Sequence, residues 1–268
     1  MKAKFVCLLG VLLLVSSVAF AGSQCQPGTP TATAGPTIVP ADGRIVDFDF
    51  VTQSGGINYY ETTLTANHSY SIEVREDYDD VSGTPVTVAL YPNNACSGSP
   101  LAAGSATTGY RDTSAIDPAL PLNSFRGSVI PAASGVYSIK VTNPDAIGHY
   151  ISVSVQETTL YSAFFSRNDP GETYYTFTNT TTASITGVIT LTTGGSSPVA
   201  YPQNVTIPAS GSVGTVTSAF PAALNGQGGN ARFAHDGPGG SVQLRAIVAN
   251  FSTGYLEPIA FVALKDKR

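Results

Sequence analysis

The densest group of reactive side chains is Glu76-Asp77-Tyr78-Asp79-Asp80, with Glu73 and Arg75 just before it. Four carboxylates in five residues repel one another unless water or a cation neutralises them. A hard cation with oxygen ligands would relieve that repulsion, and Ca2+ suits extracellular modules. Glu76, Asp77, Asp79 and Asp80 are therefore a candidate metal set, and Ca2+ is the one cofactor the pattern calls for. The same run reads equally well as a solvated acidic loop, and it lacks EF-hand spacing. Asp47 and Asp49 stand two apart. Ordinary alternation turns them to water and Val46, Phe48 and Phe50 to the core.

Other chemistry is sparse. No Gly-x-Ser-x-Gly elbow occurs, and the histidines are His68, His149 and His235. His235 and Asp236 are adjacent, but neighbouring side chains of an extended chain point opposite ways. They read as an exposed turn. No His-Glu-x-x-His is present, and Gly226-Gln-Gly-Gly-Asn230 lacks the Lys-Ser/Thr of a phosphate loop. An enzyme is not expected. Sugar-binding sandwiches stack ligands on exposed aromatics. With no Trp in the chain, that role falls to tyrosines, chiefly Tyr59, Tyr78 and Tyr110. Tyr59 and Tyr60 are neighbours, so one of them faces outward.

These residues need a scaffold, and the N-terminus says where it works. Met1-Lys-Ala-Lys4 is a basic start, Phe5–Val18 an apolar run, and Ala19-Phe20-Ala21 a small-x-small cleavage site. Residues 1–21 read as a cleaved signal peptide, which makes the protein secreted, extracellular or periplasmic. No other apolar run is long enough to cross a bilayer as a helix. Cleavage leaves Cys25 and Cys96, an even pair in an oxidising compartment, and one disulfide between them is expected. Two free thiols, or a bridge between chains through Cys25, stay open. Removal of Lys2 and Lys4 takes the net charge from −5 to −7 and leaves Lys140, Lys265 and Lys267 as the only lysines. Such a chain has no basic stripe for phosphates, so nucleic acid is excluded as a partner.

The rest is punctuated by 27 Gly and 18 Pro, which favour short strands and turns. Residues 22–40 read as an extended Pro/Thr/Gly-rich tail. Period-2 stripes then recur: Tyr70, Ile72 and Val74; Val86, Val88 and Leu90; Tyr137, Ile139 and Val141; Ile151, Val153 and Val155. From Thr158 the pattern restarts with Tyr175 and Phe177, then Ile185, Gly187, Ile189 and Leu191, then Val205 and Ile207. Val242, Leu244, Ala246 and Val248 follow, with a last strand over Ile259–Leu264. Only Ser218–Gly226 offers a helical turn, with Ser218 as N-cap and Gly226 as terminator. The fold class is all-β. Two tandem antiparallel sandwiches of jelly-roll or immunoglobulin-like type, over 41–157 and 158–268, are expected. One large sandwich is the alternative.

Residues Asn58–Glu157 resemble the bacterial pre-peptidase C-terminal domain, a small secreted β-sandwich. Tyr60-Glu-Thr-Thr-Leu-Thr-Ala-Asn-His-Ser-Tyr-Ser-Ile-Glu-Val74 is similar to its first paired strands. Val86-Thr-Val-Ala-Leu-Tyr91, Pro131-Ala-Ala-Ser-Gly-Val-Tyr-Ser-Ile-Lys-Val141 and Gly148-His-Tyr-Ile-Ser-Val153 are similar to later ones. Asn58 stands where that family has an acid, Thr62 where it has Phe, and Asn67 where it has a turn Gly. The resemblance implies a module that rides on secreted hydrolases. Ala231-Arg-Phe-Ala-His-Asp-Gly-Pro-Gly-Gly240 is similar to a turn in uncharacterised bacterial secreted sandwiches.

The expected function is a secreted or cell-surface, non-enzymatic binding or adhesion protein whose partner is an extracellular glycan or protein. A structural subunit that self-associates by edge-strand pairing, with the C-terminal strand better suited than the tail, is the first alternative. An accessory module of a secreted hydrolase system is the second.

Overall fold

The computed structural model describes residues 37–76, 84–92, 97–105, 107–110, 122–168 and 171–263. Residues 1–36, and with them the signal segment and Cys25, lie outside the described residues, as does Cys96. In chain order the first strands are β1 (Thr37–Ile38), β2 (Asp42–Val51), β3 (Gly56–Leu64), β4 (Tyr70–Glu76) and β5 (Thr87–Tyr91). They continue with β6 (Ala102–Ser105), β7 (Thr107–Tyr110), β8 (Leu122–Val129), β9 (Gly135–Asn143) and β10 (His149–Glu157). These form two five-stranded sheets, in the orders β1-β3-β9-β5-β6 and β2-β10-β4-β8-β7. The alternating stripes supply the filling between them. Tyr60, Val88, Leu90, Ile139 and Val141 from one sheet pack with Ile72, Val74, Ile151, Val153 and Val155 from the other. Burying each such aliphatic or aromatic side chain stabilises by about 1.5–3 kcal/mol, and together they hold the sandwich closed.

The second set is β11 (Leu160–Asn168), β12 (Gly171–Asn179), β13 (Ile185–Thr193), β14 (Ala200–Ile207) and β15 (Ser212–Val216), then β16 (Gln227–His235), β17 (Val242–Asn250), β18 (Tyr255–Ala260) and β19 (Val262–Ala263). They make one nine-stranded sheet. β11 and β12 meet only at their hairpin end, where Arg167 faces Glu172 and Asn168 faces Gly171. Beyond that the sheet folds over. Phe177 of β12 and Phe233 of β16 belong to strands that are not paired, yet their ring centroids are 4.7 Å apart. The two limbs of the sheet thus face each other across a second core that includes Phe165, Ile189, Leu191 and Leu244. The chain is all-β, built of sandwich-type sheets. No helix among the described residues is long and apolar enough to cross a membrane.

Four details depart from the sequence pattern. The tail is not wholly an open linker, because Thr37–Ile38 pairs in parallel with Tyr60 and Glu61 of β3, and Val39 is buried. In β2 the pairing with β10 slips between Ile151 and Val153. A slip of one residue exchanges the faces of a strand. Phe50 is therefore 45% exposed rather than in the core, and Asp49 turns inward to the buried Tyr60. Ser218 caps no helix. Two short 3-10 turns, Thr217–Ala219 and Ala222–Leu224, occupy that stretch, and the Ser218 hydroxyl donates to Glu172 instead. His235 is 1% exposed at the end of β16, not displayed on a turn.

The outer strands are interrupted. β14 carries Pro202 and β18 carries Pro258, each in a strand at the end of the sheet order. Proline has no N–H for a further ladder. β2, at the edge of its own sheet, is broken by its register slips.

Candidate functional site

The outer face of the first sheet carries an open concavity. Three register rows cross it. Tyr59, Lys140, Ala89 and Ala103 stand opposite one another on β3, β9, β5 and β6. On one side of that row lie Glu61, Ser138 and Tyr91. On the other lie Ile57, Thr142 and Thr87. Strand alternation sends Tyr60, Val88, Leu90, Ile139 and Val141 inward and leaves these residues on the outside. On the β9, β5 and β6 part of these rows lies an open groove of about 390 Å3, lined by Thr87, Val88, Ala89, Tyr91, Ala103, Gly104, Lys140 and Thr142 and walled by Pro100.

The groove's chemistry follows from those residues. Ala89 and Ala103 give a low floor, Tyr91 an aromatic wall, and Lys140 a cation. Thr87 and Thr142 add hydroxyls, and the Thr87 hydroxyl donates to the Thr142 carbonyl at 3.4 Å. Burial holds the Tyr59 phenol above its ordinary pKa, and the nearby Tyr91 pushes it the same way. Ser138 points outward by parity yet is fully buried, so neighbouring side chains close over it. Tyr59 thus stands on the outside, as adjacency with Tyr60 required. Tyr60 is buried, and its hydroxyl donates to Asp49 Oδ2 at 2.6 Å. Burial first, and that carboxylate second, push the Tyr60 phenol far up. Tyr110 ends β7 opposite Leu122, in the other sheet from the groove. Tyr78 lies outside the described residues. Tyr91 and Lys140 were not singled out by sequence reasoning. The signal that could have found them was their outward parity in strands whose alternate residues are all apolar.

The histidines sit in three other places. His149 lies between two carboxylates, with Nδ1 at 3.5 Å from Glu76 Oε1 and Nε2 at 3.4 Å from Asp145 Oδ2. Glu76 is buried and also accepts the Val86 backbone N–H at 2.7 Å. Of the predicted metal set only Glu76 is among the described residues, and its carboxylate is engaged in this internal cluster. Asp77, Asp79 and Asp80 lie outside them. No group of three His, Cys, Asp or Glu among the described residues is placed to hold a metal ion.

His68 Nδ1 meets Glu157 Oε1 at 2.9 Å and the Tyr161 hydroxyl at 2.8 Å, and that hydroxyl donates to the same carboxylate oxygen. Beside them Thr158 N–H donates to the Ser69 carbonyl, and Ser69 N–H donates to Thr159 Oγ1, each at 2.8 Å. This cluster joins the two sets of strands. His235 is stacked on Phe233, its Nδ1 is buried without a partner, and burial pushes its pKa down to about 4. Asp236 turns away from it and accepts from the Thr186 backbone N–H at 2.8 Å.

No protein-family model matches the chain, and no curated protein matches it. Among solved structures the chain is similar to the pre-peptidase C-terminal domain of collagenase from Bacillus anthracis. That likeness has 16% identity and a TM-score of 0.30, and covers 47% of this chain and 99% of that one. A second likeness is to the β-glucuronidase of Bacteroides uniformis, with 10% identity and a TM-score of 0.21. It covers 81% of this chain and 27% of that enzyme. At these levels neither likeness bears on activity or ligand.

Proposed function

We propose that this is an exported, non-catalytic binding protein of two β-sandwich modules that recognises an extracellular glycan. The observation that carries the reading is the groove on the outer face of the first sheet, with Tyr91 and Lys140 at its border. A flat floor of small residues, an aromatic wall and threonine hydroxyls are what a sugar ring needs. Its apolar face packs on the aromatic and its hydroxyls find partners. The signal-like residues 1–21, the even pair Cys25 and Cys96 that cleavage would leave, and the resemblance of Asn58–Glu157 to a secreted module family agree with work outside the cell. Ca2+ on Glu76, Asp77, Asp79 and Asp80 belongs to the same proposal, and melting with and without chelator tests it.

Glycan-array binding by the protein lacking residues 1–21, compared with its Tyr91→Ala variant, tests the main reading. Array signal that Tyr91→Ala abolishes is expected. Signal on matrix proteins alone would replace the glycan with a protein partner. Release of sugar from any polysaccharide would overturn the non-catalytic reading.

The subunit that polymerises by edge pairing is less well supported. The strand expected over Ile259–Leu264 is divided between the end of β18 and the two-residue β19, which pair within this chain with β17 and β11.

A further inference from the structure

We infer that the groove selects glycans carrying an acidic group over neutral ones, with Lys140 as the selecting residue. This rests on the reading of the groove as a glycan site. Lys140 is the only lysine among the described residues. No carboxylate among them forms an ion pair with it, whereas Arg44 pairs with Asp42, and Arg75 and Arg126 both pair with Glu73. In a chain of formal charge −5, these arginines are used to neutralise the protein's own acids. The Lys140 ammonium stands beside an open groove instead. It offers three donors on a flexible stem, and a charged acceptor strengthens each such hydrogen bond.

The rows also give the groove a direction. Glu61 and Tyr91 lie on one side of the Lys140 row and Thr87 and Thr142 on the other. Glu61 Oε1 is buried with no hydrogen-bond partner. Glu61 stands across Ser138 from Tyr91, so its negative charge repels an anion placed on that side of the groove. The acidic substituent therefore lies toward Thr142 and Thr87, and the apolar face of the sugar toward Tyr91. A peptide is a poorer fit. β5 is paired on both sides, with β9 and β6, and β9 with β3 and β5, so the groove floor has no open ladder for an added strand.

The test is calorimetric titration of the protein lacking residues 1–21. Its ligands are oligosaccharides of equal length: an oligogalacturonate, a sulfated chondroitin fragment and a neutral cello-oligosaccharide. At least one acidic ligand is expected to bind about tenfold or more tightly than the neutral one, with affinity that falls as salt is raised. Whichever acidic arm binds identifies carboxylate or sulfate as the acceptor. Lys140→Met is expected to erase the preference and Lys140→Arg to keep it, with melting midpoints unchanged. If neutral and acidic sugars bind equally and Tyr91→Ala abolishes both, the acidic selection falls and the glycan site stands. If no sugar binds, or if neither Tyr91→Ala nor Lys140→Met alters binding, both fall. Lys140-dependent binding of an acidic peptide in place of any sugar also overturns both.

Discussion

The hydroxyl of Tyr161 lies 2.8 Å from His68 Nδ1, across 93 residues of sequence, and both groups converge on Glu157 Oε1. Their rings meet edge to face with centroids 5.8 Å apart. His68 precedes β4 in the first set of strands and Tyr161 opens the second. The cluster therefore couples two sandwiches that otherwise have separate cores.

Tyr161→Phe should keep the ring contact and remove both hydrogen bonds of the hydroxyl. The expected loss is about 1–2 kcal/mol, because one acceptor is a carboxylate. Denaturant unfolding of Tyr161→Phe, His68→Ala and the double variant checks it. The double variant should lose less than the sum of the two singles. Additive losses would mean that the two groups do not act together.

His235 links stability to pH. Its folded-state pKa of about 4 lies below the ordinary imidazole value of 6.5. Between those values the unfolded chain binds a proton that the folded chain does not. The contribution is complete above pH 6.5 and declines as pH falls toward 4, by up to roughly 3 kcal/mol. The difference in unfolding free energy between the protein and His235→Gln, followed over that window, should shrink as the medium is acidified. A constant difference would remove the linkage.

Thr62 faces the first core, is 1% exposed, and its Oγ1 has no partner. Thr62→Val replaces an unsatisfied hydroxyl with a methyl group of similar size and should stabilise by about 1 kcal/mol. Thermal melting checks it, and a lowered midpoint would show that the hydroxyl is satisfied in solution.

Gly187 occupies one position of an otherwise apolar stripe, and the reason is Phe233. A Cβ at Gly187 would come within 2.5 Å of Phe233 Cζ and 2.6 Å of the Ala234 carbonyl oxygen. The oxygen belongs to the paired strand and cannot step aside. Gly187→Ala should therefore destabilise by about 1–3 kcal/mol despite the usual gain from replacing glycine. Chemical denaturation measures it.

The stripes were legible because a strand between two layers leaves one arithmetic trace, apolar side chains every second residue. Tyr70, Ile72 and Val74, or Ile151, Val153 and Val155, needed nothing more. β2 was misread at Asp49 and Phe50 because β2 carries an extra residue relative to β10 between Asp49 and Val46, and such a bulge shows only in the pairing of the two strands. His235 was misread because Asp236-Gly-Pro238 follows it, although it is the last residue of β16 and packs inward on Phe233. Asn67, by contrast, fits its expected turn, with φ of +58°, a conformation that Asn tolerates better than most residues. The groove was half visible. Tyr59 could be assigned outward from Tyr60, but Lys140 and Tyr91 become neighbours only through the order β3-β9-β5, which spacing along the chain does not contain.

The prolines in β14 and β18 bear on how strongly the molecule can hold anything. On the proposed reading, a chain without edge-strand pairing would present one open groove to a glycan at a time. Lasting attachment would then come from crowding many tethered copies side by side, since each release is followed by recapture at a high local concentration. Copy density, more than the tightness of any individual groove, would then set how long such a binder stays attached.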